Sequence, residues 1–335
     1  MTAAVPALGT IRRLSRMADR SGYLRVAAID HPENYLALFD RDLARVSFDE
    51  VVESKLELVA AMADHASAVL LDPVWSHGQA ILTGAVPPGV GIISAIEQLS
   101  YQPEGSPTGW GAELALRPDW PLSKIAAIGA DGVKLVVFHR GDSPASDRQY
   151  RIVADLVAEC REHELPLIVE PIWYPLPGEN PADPMVAAAR IREIVASATR
   201  FAALGVDVMK MEFPGSTATL EDRAAAADAC AELDDSIEVP WVLLSAGVGF
   251  EGFIEQLRIA AAAGASGFMA GRAIWGDAVG RRDEAARRAG AKTACERLDV
   301  LGEIVAASGR PVRTTLSLAE TMDSLGPDWH REYRG

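Results

Sequence analysis

Two lysines interrupt apolar runs in a chain that otherwise prefers arginine: Lys134 in DGVKLVVFH (131 to 139) and Lys210 in DVMKMEFP (207 to 214). Only five of the 32 basic residues are lysines, Lys55, Lys124, Lys134, Lys210 and Lys292, so the placement of these two asks for a chemical reason. Both runs have strand composition, and side chains alternate across a strand. Val208, Lys210 and Glu212 therefore share one face, and Met209, Met211 and Phe213 the other. The same parity sets Asp30 with Val26 and Ala28, Glu170 with Ile168, and Lys134 with Val136, so two lysines and several carboxylates converge. An internal salt-bridge network is one reading, because buried charges persist only when paired. Arginine, however, pairs carboxylates better through its bidentate fork. What lysine adds is a primary amine, which burial and a neighbouring cation turn into a nucleophile toward carbonyls, giving a Schiff base.

The elements that must position these groups recur along the whole chain. Eight short apolar runs, at 24 to 30, 67 to 73, 91 to 98, 131 to 139, 166 to 172, 207 to 214, 240 to 247 and 267 to 272, alternate with Ala-, Arg- and Glu-rich helical stretches. Strands spaced by helices imply right-handed βαβ units and a parallel sheet, and eight units in this length predict a single-domain (β/α)8 TIM barrel. An open doubly wound sheet is disfavoured, since no GxGxxG follows the first strand. Residues 1–22 are expected to form an extra helix closing the bottom of the barrel, residues 24–272 the strands, and 273–335 the last helix and a tail. The Pro- and Gly-rich YPLPGENPADP (174 to 184) falls where a βα loop belongs, and no linker divides the chain.

Glycines, a serine and Arg272 gather at the ends of the last two strands, in LSAGV (244 to 248) and MAGRA (269 to 273). Loops after strands 7 and 8 of such a barrel commonly cradle phosphate with backbone N–H groups. His31, His77 and His139 follow strands 1, 2 and 4 and raise a metal-dependent alternative. None has a short-range ligand partner, and His139 has outward parity, so solvated or substrate-contacting histidines are the preferred reading and no metal is expected.

Composition narrows the field. At 335 residues and 49% hydrophobic content the chain buries a sizeable core, and its net charge of −15 argues against nucleic acid. Three dispersed cysteines suggest neither disulfides nor a zinc site. No run is apolar for the ~18 residues of a membrane span and no signal peptide is evident, which makes a cytoplasmic protein the expectation. Ala-rich outer helices leave room for a homo-oligomer.

Taken together, ALGTIRRLSRMADRSGYLRVAAIDH, SAVLLDP, AIEQLSY, GVKLVVF, LIVEPIWY, DVMKMEFP and LSAGVGFEGFIEQLRIAAAAGASGFMAGRAIWGDAV resemble the class I tagatose 1,6-bisphosphate aldolase family, which has sulfofructosephosphate aldolases as close relatives. The resemblance runs from about residue 8 to 280. It implies Lys210 as the Schiff-base nucleophile, Glu170 as a proton-transfer group, Lys134 as the neighbouring cation, and Asp30 binding substrate hydroxyls and orienting the imine. His31, Gln98, Ser245, Gly247, Gly271 and Arg272 become the substrate-binding candidates. The implied reaction is reversible cleavage of a phosphorylated ketose to dihydroxyacetone phosphate and an aldehyde, without a cofactor. His31 and Pro32 stand where the family has glutamine and arginine, and Phe138, His139 and Arg140 where aromatic and acidic residues are usual; all are expected near the variable end of the substrate. A metal-dependent aldolase, a sugar-phosphate isomerase or epimerase, and a non-catalytic phosphosugar-binding protein remain the competing readings.

Overall fold

The computed structural model describes residues 7–31, 33–98, 114–280 and 283–333. Eight strands, β1 (Leu24–Ala28), β2 (Ala68–Leu71), β3 (Gly91–Ala95), β4 (Gly132–Phe138), β5 (Leu167–Ile172), β6 (Val208–Met211), β7 (Trp241–Leu243) and β8 (Gly267–Ala270), pair in parallel and close β8 onto β1. The barrel expected from the strand spacing is therefore present. Its interior below the charged residues is a dry plug of Val26, Ala28, Leu70, Ile93, Ile168, Val208 and Met269. The opposite faces of the same strands, including Met209, Met211 and Phe268, pack under the helices.

Those helices are α1 (Leu8–Met17), α2 (Glu33–Leu36), α3 (Phe48–Met62), α4 (His77–Thr83), α5 (Leu122–Ala127), α6 (Ser146–Glu162), α7 (Pro184–Ala202), α8 (Leu220–Asp235), α9 (Phe250–Ala263), α10 (Arg272–Trp275), α11 (Glu284–Ser308), α12 (Leu318–Ser324) and α13 (Trp329–Glu332). The acidic start of α3 is a complete capping box: Ser47 accepts from Glu50 N, and the Glu50 carboxylate accepts from Ser47 N. The Ala-rich run of α9 stops at Gly264, whose φ of 121° suits glycine. At the bottom of the barrel, α1 delivers Met17 into the plug. Glycine at 132 makes room for it, since a Cβ there would stand 2.6 Å from Met17 Sδ. Beyond the long helix α11 the tail adds α12 and α13, and the Tyr333 hydroxyl accepts from Leu8 N at 3.0 Å, tying tail to α1.

Two histidines carry the acid sensitivity of the helical layer. His77 is fully buried, and neither ring nitrogen has a hydrogen-bond partner among the described residues; His139 lies between Ser197 (2.9 Å) and Ser146 (3.1 Å). Burial pushes each ring from 6.5 down to about 4, so the folded protein holds them neutral while the unfolded chain takes up protons below about 6.5. Stability is thus intact above pH 6.5 and lost as pH falls toward 4, by on the order of 1–2 kcal/mol per histidine at pH 5. In urea titrations, His77→Phe should narrow the gap between pH 7.5 and pH 5; an unchanged gap would mean that His77 is not held neutral.

Candidate active site

A cavity of about 510 Å³ opens at the C-terminal ends of the strands. Lys134 from β4 occupies its floor, 3% exposed, with its ammonium 2.8 Å from each of three carboxylates: Asp30, Glu97 and Glu170. Burial alone would lower its pKa, but Asp30, Glu170 and Glu97 outweigh that and hold it well above the ordinary lysine range. Lys210 from β6 is as buried and, among the described residues, makes a single ion pair, 2.9 Å to Glu170 Oε2, the same oxygen that Lys134 reaches. One carboxylate oxygen therefore bridges two amines.

The carboxylates differ in what surrounds them. Burial works against the charge on Asp30, yet Lys134, His31 and Lys210 more than offset it and keep the carboxyl far below its usual range. Glu170 is likewise held low, burial being outweighed by the two lysines. For Glu97 burial prevails over Lys134, with the nearby Asp30 charge adding to it, and the carboxyl is pushed up. His31 is pushed down to about 4, first by burial and then by Lys210, Arg272 and Lys134 against the pull of Asp30. It is neutral at neutral pH, and its Nδ1, 3.5 Å from Asp30 Oδ1, has no hydrogen-bond partner among the described residues.

The end of the cavity beside β7 and β8 is built mostly from backbone. Ser245 and Ala246 line the cavity after β7, and Ala246 and Gly247 both have positive φ, 46° and 83°, in a turn closed by Val248 N donating to Ser245 O at 2.9 Å. An alanine in that conformation stores about 1 kcal/mol or more of strain, which cavities of this kind tolerate where the backbone must face a ligand. The N-terminus of α9 follows directly, with no side-chain cap. Gly247 lets the Arg272 guanidinium lie against the turn, since a Cβ there would stand 3.3 Å from it. Arg272 itself is exposed to the cavity and has no ion-pair partner among the described residues. Gly271 permits close packing with β1, for a Cβ there would stand 2.6 Å from both Ala28 O and the His31 ring. Helix N-terminus, turn and cation together suit an anion.

Of the residues singled out by the sequence, Asp30, His31, Lys134, Glu170, Lys210, Ser245, Gly271 and Arg272 all line this one cavity, and Gly247 adjoins it. Gln98 does not: its side chain is exposed, and its backbone N–H binds Ala115 O at 2.8 Å. The residue before it, Glu97, takes the place at Lys134. Parity could have found it, because Ile93 and Ala95 belong to the interior plug while Ile92 and Ile96 pack outward.

Other expectations are corrected. Glu212 faces the cavity but does not join the lysines; it accepts from Arg190 Nη2 and Trp173 N, at 2.9 and 2.8 Å. It lies two residues, about 6.6 Å, further up the strand than Lys210 and so meets α7 instead. Arg140 turns away from the cavity and staples the β4 and β5 loops, pairing with Asp142 (2.8 Å) and Glu179 and stacking over Trp173. His77 and His139 are neither solvated nor substrate-facing, since both are buried in the helical layer, beside Trp120 and Phe201. Of the departures from the family pattern only His31 and Phe138 reach the cavity; Pro32, like most of the loop after β3, lies outside the described residues. Among the described residues no cluster of His, Cys, Asp and Glu has a metal-holding arrangement.

Comparison with known proteins gives a consistent picture. The model of a DeoC/LacD family aldolase matches residues 26–277. The chain is 26% identical over 285 residues to tagatose 1,6-diphosphate aldolase 2 of Streptococcus mutans, covering 79% of this chain and 84% of that one. It is 28% identical over 319 residues to tagatose 1,6-diphosphate aldolase 2 of Enterococcus faecalis, covering 88% and 93%. Among solved structures, fructose-bisphosphate aldolase from Slackia heliotrinireducens shares the fold with a TM-score of 0.63, at 17% identity over 93% of this chain and 92% of that one.

The unpaired guanidinium gives a direct test of the anion end. A charge-assisted contact to phosphate contributes about 1.5–3 kcal/mol, so Arg272→Ala should weaken binding of a phosphate monoester about 10- to 100-fold in calorimetric titration. Equal affinity in the variant would remove Arg272 from the site.

Proposed function

We propose a mechanism on the premise that the chain belongs to the DeoC/LacD family of aldolases, whose model spans residues 26–277. It is a lyase that acts on phosphorylated sugars. The reaction we infer is reversible cleavage of a phosphorylated ketose, of the tagatose 1,6-bisphosphate kind that gives the curated relatives their name, to dihydroxyacetone phosphate and an aldehyde. Sulfofructose phosphate and other ketose phosphates would follow the same steps and differ at the end facing Phe138, Ile172 and Glu212.

The observation that carries this reading is the unequal surroundings of the two lysines. Lys134, ringed by three carboxylates, keeps its proton and serves as a stationary cation. Lys210 touches one carboxylate, which is ionised and can accept its proton. The free amine attacks the ketose carbonyl at C2, and Glu170 returns the proton to the carbinolamine oxygen, which leaves as water. The resulting iminium is the electron sink. Removal of the C4 hydroxyl proton by the same carboxylate breaks the C3–C4 bond, the electron pair passes into the enamine, and the aldehyde departs. Protonation at C3 and hydrolysis then release dihydroxyacetone phosphate and restore Lys210. Asp30 and His31 flank this centre and are placed to bind substrate hydroxyls, while Ser245, Gly247, Gly271 and Arg272 hold the phosphate. The amine itself supplies the activation that a metal-dependent aldolase draws from its ion.

A cytoplasmic place suits this chemistry, since phosphorylated sugars are charged and membrane-impermeant and Cys160, Cys230 and Cys295 are all free. No helix among the described residues is long and apolar enough to cross a membrane.

Borohydride reduction in the presence of dihydroxyacetone phosphate should attach the three-carbon unit to Lys210, read by intact mass and peptide mapping. Lys210→Arg keeps the charge without a nucleophilic amine, and should remain folded yet lose both adduct and turnover. An adduct on Lys134 would exchange the two roles, and turnover without any adduct would favour an isomerase or epimerase.

A further inference from the structure

We propose that Lys55, on the outer helix α3, is a positioning residue that holds the catalytic end of β1. Its side chain is completely buried, and its ammonium donates to Ile29 O at 2.8 Å, His31 O at 3.1 Å and Asp72 Oδ2 at 2.5 Å. Three protons meet three acceptors. The two carbonyls stand on either side of Asp30, whose carboxylate is 2.8 Å from Lys134.

The placement answers a need of the strand. The parallel ladder of β1 with β2 ends at Ala28, and one further bond, Ile29 N to Leu70 O at 2.8 Å, carries the pairing no farther than residue 29. Asp30 and His31 therefore extend beyond the sheet. From outside the barrel, Trp275 Nε1 donates to Ala28 O at 2.8 Å and Lys55 takes the carbonyls of the next residue and of His31. Asp72, which balances the charge, is itself immobilised: its Oδ1 accepts from Val74 N and Trp75 N, and its Oδ2 from Ser76 Oγ. Tyr35 and Trp75 pack on the ammonium, at 5.0 and 5.5 Å from their ring centroids.

A pair that only stabilised the fold could be replaced by apolar groups of similar volume at little cost. Here two of the three donors hold peptide groups that aim cavity side chains. A pyramidal ammonium meets three convergent acceptors, which the planar guanidinium of arginine does not. This accounts for a third lysine in a chain that has five.

The inference rests on the aldolase reading, and the test separates the two. Full-length Lys55→Met, and Lys55→Gln/Asp72→Asn, which removes both charges but keeps an amide donor, would be compared with wild type for ketose-phosphate cleavage and for borohydride trapping with dihydroxyacetone phosphate. Lys55→Met would also be combined with Asp30→Asn. Misplacement of site groups by about 1 Å lowers rates about 10²-fold, so kcat/KM should fall by that order, while trapping on Lys210 persists. In the Asp30→Asn background the same substitution should cost less than about threefold more, because its effect runs through Asp30. Wild-type kcat/KM in either folded Lys55 variant, or a loss that multiplies fully with that of Asp30→Asn, would overturn the proposal. Should Lys55→Met not fold, the neutral pair carries the same readings. Wild type lacking both turnover and adduct would count against the aldolase reading itself.

Discussion

The site depends on one ammonium shared by three buried carboxylates. Removing a carboxylate or an ammonium from water costs several kcal/mol per ion, and a single buried pair roughly recovers it. At an effective dielectric of about 20, each contact near 2.8 Å returns about 6 kcal/mol, so Lys134 with three contacts is strongly favoured as a cation. The carboxylates are less comfortable. Three negative charges face two lysines, and the residue that yields is Glu97, whose carboxyl is pushed up while Asp30 and Glu170 are held low. The charge excess settles on a group beside the substrate space without disturbing the bridge from Lys134 through Glu170 to Lys210.

Much of this was legible in the sequence because it follows from a period of two. A lysine inside an apolar strand has only two directions to point, and the apolar residues at alternate positions say which one is the barrel. Lys134, Glu170, Lys210 and Asp30 are all found that way. What was not legible depends on how far along the strand a residue sits. Glu212 has the parity of Lys210 yet pairs with Arg190, and Arg140 follows the cavity residue Phe138 by two positions yet binds Asp142 and Glu179. Past the end of a strand alternation no longer governs direction, and loop contacts decide. Lys55 escaped notice for a different reason: on a helix, among Glu53, Leu56 and Glu57, it reads as an ordinary surface lysine, and only the approach of α3 to the ends of β1 and β2 reveals its acceptors.

The anion end shows the same limit. LSAGV and MAGRA mark the loops after β7 and β8, but short glycine-containing loops are common wherever a strand turns into a helix. The distinguishing features are the positive φ of Ala246, a non-glycine residue, and the Arg272 guanidinium lying against that turn. Arginines such as Arg16 and Arg297 instead pair with carboxylates, Asp131 and Asp277 respectively. A cation beside a helix N-terminus and a positive-φ turn suits an anion.

The division between strand and loop also divides the labour of the site. Lys134, Glu170 and Lys210 lie within β4, β5 and β6 and are ladder residues, Lys134 paired with both β3 and β5, Glu170 with β4 and Lys210 with β7. Asp30, Glu97, Glu212, Ser245 and Arg272 all lie just past the last ladder residue of their strands. The proposed covalent chemistry would need the first group rigid, because proton transfer across the bridging carboxylate would fail if the amines drifted apart. On the proposed reading the second group would recognise the hydroxyls and end groups of the substrate. The cost is that each residue of the second group must be held from outside: Glu97 by the bridge to Leu116 and by Lys134, Glu212 by Arg190, Asp30 by the outer layer behind β1. In such a barrel the helical layer sets substrate geometry as much as the cavity walls do, and changes in specificity are to be sought there as well as among the residues that touch the sugar.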